Sequence, residues 1–270
     1  MTRFVLLSDL HLSRPDPDDR LLHSDTMATL AEVIGRIAAL DPAPDFTVLA
    51  GDLANHGSAE SYRLLRAMLA PLRMPVIPAL GNHDDRAAFR AVFGWPAPAD
   101  APLFHHARRA GLHVIALDSS SPGHVSGALD AGQFAALGAA LALEPDLPKL
   151  LICHHPPHSG HADALPWESL NGDDSARLAD TIAGHPVVAI LSGHVHMNRI
   201  RLWQGVPVLT TIGLHATVDP LDPRDMVIEE GSGFALCSHD AGGFQATFVP
   251  HHPPRRVLGR ISHATLRGFR

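Results

Sequence analysis

This 270-residue chain predicts an α/β protein with mixed rather than purely parallel sheets. Three observations carry that expectation. Short apolar runs alternate with helical patterns through most of the chain. The later part changes to strand-like pairs about two-residue turns. And 46% of the residues are hydrophobic, enough to bury a sizeable core.

Taken in order, residues 4–8 form a continuous apolar run ending in Asp9-Leu10-His11, which predicts a first strand buried on both faces. Residues 14–25, rich in proline and charge, predict a loop. Ser24 or Asp25 is placed to cap a helix reaching about Leu40, with Met27, Leu30, Val33, Ile34 and Ile37 at helical spacing. Asp41-Pro42-Ala43-Pro44 breaks the chain, and a second strand, Phe46–Ala50, ends in Gly51-Asp52. Ser58 caps a second helix over residues 58–72. A third strand at residues 75–80 runs into Gly81-Asn82-His83-Asp84-Asp85, and the pattern over Arg86–Phe93 is helical. Past the proline-rich residues 95–102, strands are expected at 112–118, 149–153 and 187–191, with helices at 130–143 and near 174–183 between them. The strand at 149–153 ends in His154-His155-Pro156-Pro157, and the one at 187–191 in Ser192-Gly193-His194-Val195-His196. Residues 199–203 and 206–212 read as a hairpin about Gln204-Gly205, and residues 233–238 and 243–249 as a second about Ala241-Gly242. The intervening residues 215–231 hold few apolar side chains and read as a loop or lid.

The formal charge of −7, with 18% charged residues, gives no field that would draw the chain onto DNA or an anionic membrane. Residues 250–270 carry five arginines and no acid, and read as a solvated tail or a subunit contact rather than a nucleic-acid site. Cys153 and Cys237 lie far apart without a C-x-x-C pattern, as expected of two buried thiols in a reducing compartment. No apolar run approaches the roughly 20 residues needed to span a bilayer. Residues 4–8 are too short for a signal sequence and are followed at once by polar Asp9 and His11, so a cytoplasmic location is expected. The twenty histidines are many for this length and turn attention to metal.

Asp9, His11, Asp52, Asn82, His154, His194 and His196 all fall at the carboxyl ends of expected strands, the edge where open α/β sheets bind ligands. Singly most of these patterns are weak: Asp9-x-His11 and Gly51-Asp52 recur by chance, and His154-His155 is also an ordinary turn, while Gly81-Asn82-His83-Asp84 is more specific because it presents two polar side chains where the strand stops. Together they make a donor set of oxygen and imidazole without thiolate, suited to manganese, iron, zinc or cobalt more than to magnesium or calcium. Seven donors exceed one tetrahedral ion and fill two sites if a carboxylate bridges.

The ordered series Asp9-x-His11, Gly51-Asp52, Gly81-Asn82-His83-Asp84, His154 and Gly193-His194-Val195-His196 is similar to the signature of the calcineurin-like metallophosphoesterases, over residue 4 to about residue 215. Gly81-Asn82-His83-Asp84-Asp85-Arg86 and His154-His155-Pro156-Pro157 resemble the bacterial branch that includes class III cyclic-nucleotide phosphodiesterases and glycerophosphodiesterases. The resemblance implies a four-layer αββα sandwich, two mixed sheets face to face with helices outside. It implies a catalytic core at residues 1–214, with 215–270 completing the same domain as lid, strands, basic tail and contacts of a homo-oligomer, dimer or higher. It gives one metal ion to Asp9, His11, Asp52 and His196, and a second to Asp52, Asn82, His154 and His194, with Asp52 bridging. Asn55 matches a phosphate-contacting position, and His215 a substrate-side histidine.

Hydrolysis of a phosphodiester needs a hydroxide brought to a stable anion. Two divalent ions and two carboxylates leave a positive cavity that attracts the substrate, and they acidify a bridging water, so no side chain need be the nucleophile. The neutral Asn82 amide keeps its ion more electrophilic than a third carboxylate would. His83 is expected to hydrogen-bond the phosphoryl or leaving oxygen and protonate the departing alkoxide. Asp84 is expected to cap the following helix or to orient His83. The leading expectation is hydrolysis of small diesters, cyclic nucleotides such as cAMP or glycerophosphodiesters. The alternatives are a phosphomonoesterase or phosphonate-ester hydrolase on the same core, and a non-catalytic protein-binding scaffold, which would have been free to lose these residues.

Overall fold

The computed structural model describes residues 1–16, 18–160, 166–221 and 225–251. Most of the basic C-terminal tail therefore lies outside the described residues. The chain runs β1 (Thr2–Leu7), α1 (Thr26–Ala38), β2 (Phe46–Ala50), α2 (Ala59–Met68), β3 (Val76–Ala79), α3 (Arg86–Phe93), β4 (His105–Arg109), β5 (Leu112–Leu117), α4 (Ala131–Leu143), β6 (Lys149–Cys153), α5 (Gly172–Ile182), β7 (Val187–Ser192), β8 (Arg199–Trp203), β9 (Val206–Thr210), β10 (Thr217–Val218), β11 (Ile228–Glu229), β12 (Gly233–Asp240) and β13 (Gly243–Pro250). A 3₁₀ turn at Pro166–Glu168 precedes α5.

Two mixed sheets result. One has the order β13-β12-β1-β2-β3, with β1, β2 and β3 parallel and β12 and β13 antiparallel. The other has the order β4-β5-β6-β7-β9-β8, parallel from β5 to β9 with antiparallel edges. Alternation along the buried strands divides their side chains between two cores. Phe4, Leu6 and Val48 meet Val114, Ile152 and Leu191 between the sheets. Val5, Leu7 and Leu49 face the other way onto α1, α2 and α3, while Ile115, Leu151 and Ile190 pack on α4 and α5. Three apolar layers between four layers of structure make the αββα sandwich.

The first strand, expected to be buried on both faces, is so from Phe4 onward, and β2, β5 and β6 likewise have no exposed residue. Gln204 and Gly205 both have positive φ, 49° and 79°, the two-residue turn whose twist suits a hairpin, and Trp203 pairs Val206 across it. Several elements differ from expectation. β4, His105–Arg109, was not expected; its sequence is polar on both faces, because it is an edge strand held by β5 alone. α5 begins at Gly172 with Asn171 as its cap, its side chain accepting from Asp174 N, ahead of the expected start. β9 stops at Thr210, short of Ile212. Within the expected loop at 215–231, β10 and β11 pair as a small two-stranded sheet.

Candidate metal centre

The carboxyl ends of β1, β2, β3, β6 and β7, drawn from both sheets, converge at one edge. The backbone there is unusual. Asp9, His11, Asp52, His194 and His196 have φ of 48°, 40°, 50°, 73° and 49°, and among the described residues only Ala110 and Gln204 share positive φ without being glycine. Aspartate and histidine tolerate this region better than most residues, yet each instance costs on the order of 1 kcal/mol or more. Five of them in one place mark a site whose surroundings enforce its geometry. Two glycines let the sheets close on it. A Cβ on Gly81 would lie 2.2 Å from Asp52 Oδ1, and one on Gly193 would lie 2.6 Å from Asp9 Oδ2.

Hydrogen bonds fix the tautomers of the histidines, and in doing so aim their lone pairs. His11 Nδ1 donates to Asn55 Oδ1 (3.0 Å), His154 Nδ1 to Ala50 O (2.8 Å), and His196 Nδ1 to Ala216 O (2.9 Å). Each ring therefore offers Nε2 as an acceptor. His194 does the reverse: its Nε2 donates to Trp167 O (2.6 Å), which frees Nδ1. The carboxylates are pinned by one oxygen each, Asp9 Oδ1 accepting from His194 N (2.8 Å) and Asp52 Oδ1 from His83 N (2.9 Å). What remains points inward. Asp52 Oδ2 lies 3.3 Å from His154 Nε2 and 3.6 Å from His11 Nε2, and His11 Nε2 lies 3.2 Å from His196 Nε2. Asp9 Oδ2, Asn82 Oδ1 and His154 Nε2 are buried with no hydrogen-bond partner in the protein. Buried polar atoms are normally satisfied. Acceptors facing acceptors call for a cation, so these residues fit metal on their own chemistry. His11 with Asp52 and His83, and Asp9 with Asp52 and His154, form groups close enough to share an ion.

The electrostatics agree for His11 and His194, with His154 the exception in the metal-free protein. Burial holds His11 well below the usual imidazole range and lowers His194 to about 3, so both present unprotonated nitrogen. Burial opposes charge on His154 too, but the Asp52 and Asp9 carboxylates outweigh it and raise His154 to about 9. Burial would likewise raise Asp52; His154 and then His11 pull its carboxyl well below the usual range instead.

Neighbouring residues divide sharply by what their atoms already do. His155 uses both ring nitrogens, Nδ1 with Ser119 Oγ (2.7 Å) and Nε2 with Val125 O (2.9 Å), and supports the turn. His83 donates Nδ1 to Asn55 O (2.8 Å) and lines the cavity in front of the centre. The expectation for Asp84 is corrected: the cap of α3 is Asp85, whose side chain accepts from Ala88 N. The Asp84 carboxylate accepts from neither that helix's first turn nor the His83 ring. It accepts from the backbone N–H of Leu53, Ala54 and Gly81 and from the Tyr62 hydroxyl, locking the β2 and β3 loops together. Asn55 is buried, with Oδ1 on His11 and Nδ2 donating to Asp19 Oδ2 (2.9 Å). His215 lines the cavity, its ring 4.7 Å from that of His11, and its Nε2 accepts from His23 N (2.8 Å). Sequence reasoning missed Asp19, Tyr62 and the carbonyls of Ala50, Trp167 and Ala216. Carbonyls carry no sequence signal, and the two side chains act through partners distant in the chain.

A sandwich of two mixed sheets with an aspartate- and histidine-lined centre at their common edge defines a metal-dependent phosphoesterase class. The profile of the calcineurin-like phosphoesterases matches residues 2–198, and the chain belongs to that family. It is 36% identical over 213 residues to a cAMP/cGMP dual specificity phosphodiesterase of Mycobacterium tuberculosis, covering 76% of this chain and 65% of that one. It is 32% identical over 199 residues to a glycerophosphodiester phosphodiesterase of Enterobacter lignolyticus, covering 72% and 70%. Among solved structures, a dimetal phosphatase from Danio rerio shares the fold at a TM-score of 0.68 and 14% identity, covering 93% of this chain and 99% of that one.

Proposed function

We propose that the protein hydrolyses small phosphodiesters, 3′,5′-cyclic nucleotides or glycerophosphodiesters, at a centre of two metal ions. The observation that carries this is the set of inward-facing acceptors with no protein partner, Asp9 Oδ2, Asn82 Oδ1 and His154 Nε2, around Asp52 Oδ2. Asp9, His11, Asp52 and His196 would hold one ion and Asp52, Asn82, His154 and His194 the other. The position of Asp52 Oδ2 between His154 and His11 supports its bridging. Manganese, iron, zinc and cobalt suit the donors. Two such ions supply Lewis acidity toward the phosphoryl oxygens and make water nucleophilic near neutral pH.

The chain's own groups do the rest. Asn55 O holds His83 Nδ1–H, so Nε2 is the nitrogen that takes up a proton and, as imidazolium, passes it to the departing alkoxide. Asn55 and Ala216 O hold His11 and His196 in the tautomers that ligation requires. The commitment of both Asn55 side-chain atoms supports positioning of His11 over contact with phosphate. Among the described residues no helix is long and apolar enough to cross a membrane, and both cysteines are free and buried, which fits a cytoplasmic setting.

The test is a rate assay on metal-stripped protein with and without Mn²⁺, on bis(p-nitrophenyl) phosphate, p-nitrophenyl phosphate and cAMP, with Asn82→Ala as control. Metal-dependent turnover of the diester well above the monoester is expected, and the cAMP rate separates the two substrate classes. No turnover of any ester with metal bound would refute the reading and favour a scaffold.

A further inference from the structure

The cavity in front of the centre, about 440 Å³, has a polar floor and an apolar outer wall. The floor is the histidines with Asp52 and Asn82. The wall is built by the β10–β11 pair. Val218 stands opposite Ile228 in register, so their side chains share a face, and Met226, two residues before Ile228, also lines the cavity. Leu21, Val125 and Trp167 add to the apolar lining, the Trp167 ring 5.7 Å from that of His194. Val125, Met226 and Ile228 are 54%, 57% and 42% exposed. Scattered exposed apolar side chains need no explanation, but a group gathered at one cavity does.

Among the described residues no lysine or arginine lines the cavity, and Thr217 Oγ1 is spent donating to His196 O (2.8 Å). A substrate group lying there finds surface to bury and no unspent side-chain donor on Thr217, Val218, Met226 or Ile228. Hydroxyls turned toward it would lose their water without compensation.

We propose that this wall selects diesters carrying one apolar or aromatic ester group, with Val218, Met226 and Ile228 as specificity-determining residues. The inference rests on the diesterase reading above and goes beyond it. A flat ring is held by its faces while its polar edge goes unread, so purine esters with different exocyclic groups are handled alike. A glycerol ester gains nothing from the wall.

Three diesters sharing a methyl ester test this: benzyl methyl phosphate, glyceryl methyl phosphate and dimethyl phosphate. Monoester release by the Mn²⁺-loaded protein is followed by phosphorus NMR, each rate taken relative to uncatalysed hydrolysis. Burial of the ring is expected to favour the benzyl ester about 10- to 100-fold in kcat/KM over the glyceryl ester. In Met226→Ser/Ile228→Ser, both positions being solvent-accessible, that ratio falls to about threefold or less, with an unchanged melting temperature marking the fold as intact. A glyceryl ester turned over as well as the benzyl ester by the wild-type protein, or a benzyl preference that survives the double substitution, overturns the proposal while the diesterase reading stands. If none of the three is hydrolysed with metal bound, the diesterase reading falls and the proposal with it.

Discussion

Replacing Asn55 with alanine removes, besides a longer contact of Nδ2 with His56 Nε2 (3.2 Å), two hydrogen bonds that hold different things. Oδ1 accepts from His11 Nδ1 at 3.0 Å, and Nδ2 donates to Asp19 Oδ2 at 2.9 Å. Asn55 and His11 are 1% and 3% exposed, so water does not take the place of the lost acceptor. An unsatisfied buried N–H costs about 1–3 kcal/mol. The His11 ring relieves it by turning or by moving its proton to Nε2, and either change spoils the lone pair aimed at the centre. Loss of such an outer partner typically weakens metal binding about 10- to 100-fold. The damage should be local. Asp19 keeps His56 (2.7 Å), and His83 keeps its bond to the backbone oxygen of residue 55. A chelator-competition titration is therefore expected to show one metal equivalent weakened by that factor and the other near wild type. At saturating metal kcat should largely recover. Asn55→Asp keeps an oxygen for His11 and should hold its metal, while setting a second carboxylate against Asp19. A KM for the diester raised about tenfold or more, at unchanged metal affinity, would refute this reasoning and return Asn55 to the phosphate.

Three further outcomes follow from the same geometry. His83→Asn should lower kcat about 100-fold or more for an alkoxide leaving group and far less for p-nitrophenolate, which needs no proton; equal losses would remove His83 from the proton path. Asp84→Asn turns an NH₂ toward donors of Leu53, Gly81 or Tyr62 and should lower the melting temperature by about 5–10 °C, whereas a change confined to kcat would make Asp84 catalytic. In metal-stripped protein His154 titrates at about 9, above its unfolded value of roughly 6.5, because the Asp52 and Asp9 carboxylates outweigh its burial. Its contribution to stability is complete below the lower value and is lost as pH rises through the upper one. The stripped protein should lose thermal stability between about pH 7 and 9.5, and metal binding near pH 8 should release about one proton, read from the buffer dependence of the calorimetric enthalpy. A flat profile with no proton release would refute the pairing.

The centre was legible because its residues end apolar runs. A polar side chain directly after Phe4–Leu7, Phe46–Ala50 or Lys149–Cys153 can only lie at a sheet edge, whichever neighbours those strands take. What pairing decides was not legible. Asp84 and Asp85 are equivalent as sequence, and Tyr62, on α2, is part of what draws Asp84 inward and leaves Asp85 to cap α3. The bond from the Asn55 amide to Asp19 joins two loops far apart in the chain and has no sequence signal. β4 has no apolar face because β5 alone holds it, and β10 and β11 are two residues each, below the length at which periodicity speaks.

The strained backbone shows why the ligands leave the strands they do. Asp9 and His11 follow β1, which lies between β12 and β2; Asp52 follows β2, between β1 and β3; His194 and His196 follow β7, between β6 and β9. All five have positive φ, while His154, which follows the interior strand β6, and Asn82 and His83, which follow the edge strand β3, do not. Unfavourable φ persists only where surroundings over-determine the chain. A strand paired on both sides and buried on both faces cannot shift to relieve its last residue, so the cost of about 1–3 kcal/mol at each position is borne by the sheet. Asp9, His11, Asp52, His194 and His196, the proposed ligands that leave β1, β2 and β7 with positive φ, thus have their directions enforced by strands paired on both sides. Asn82 and His83, for which we propose a neutral ligand and a proton-transfer group, leave the edge without that constraint.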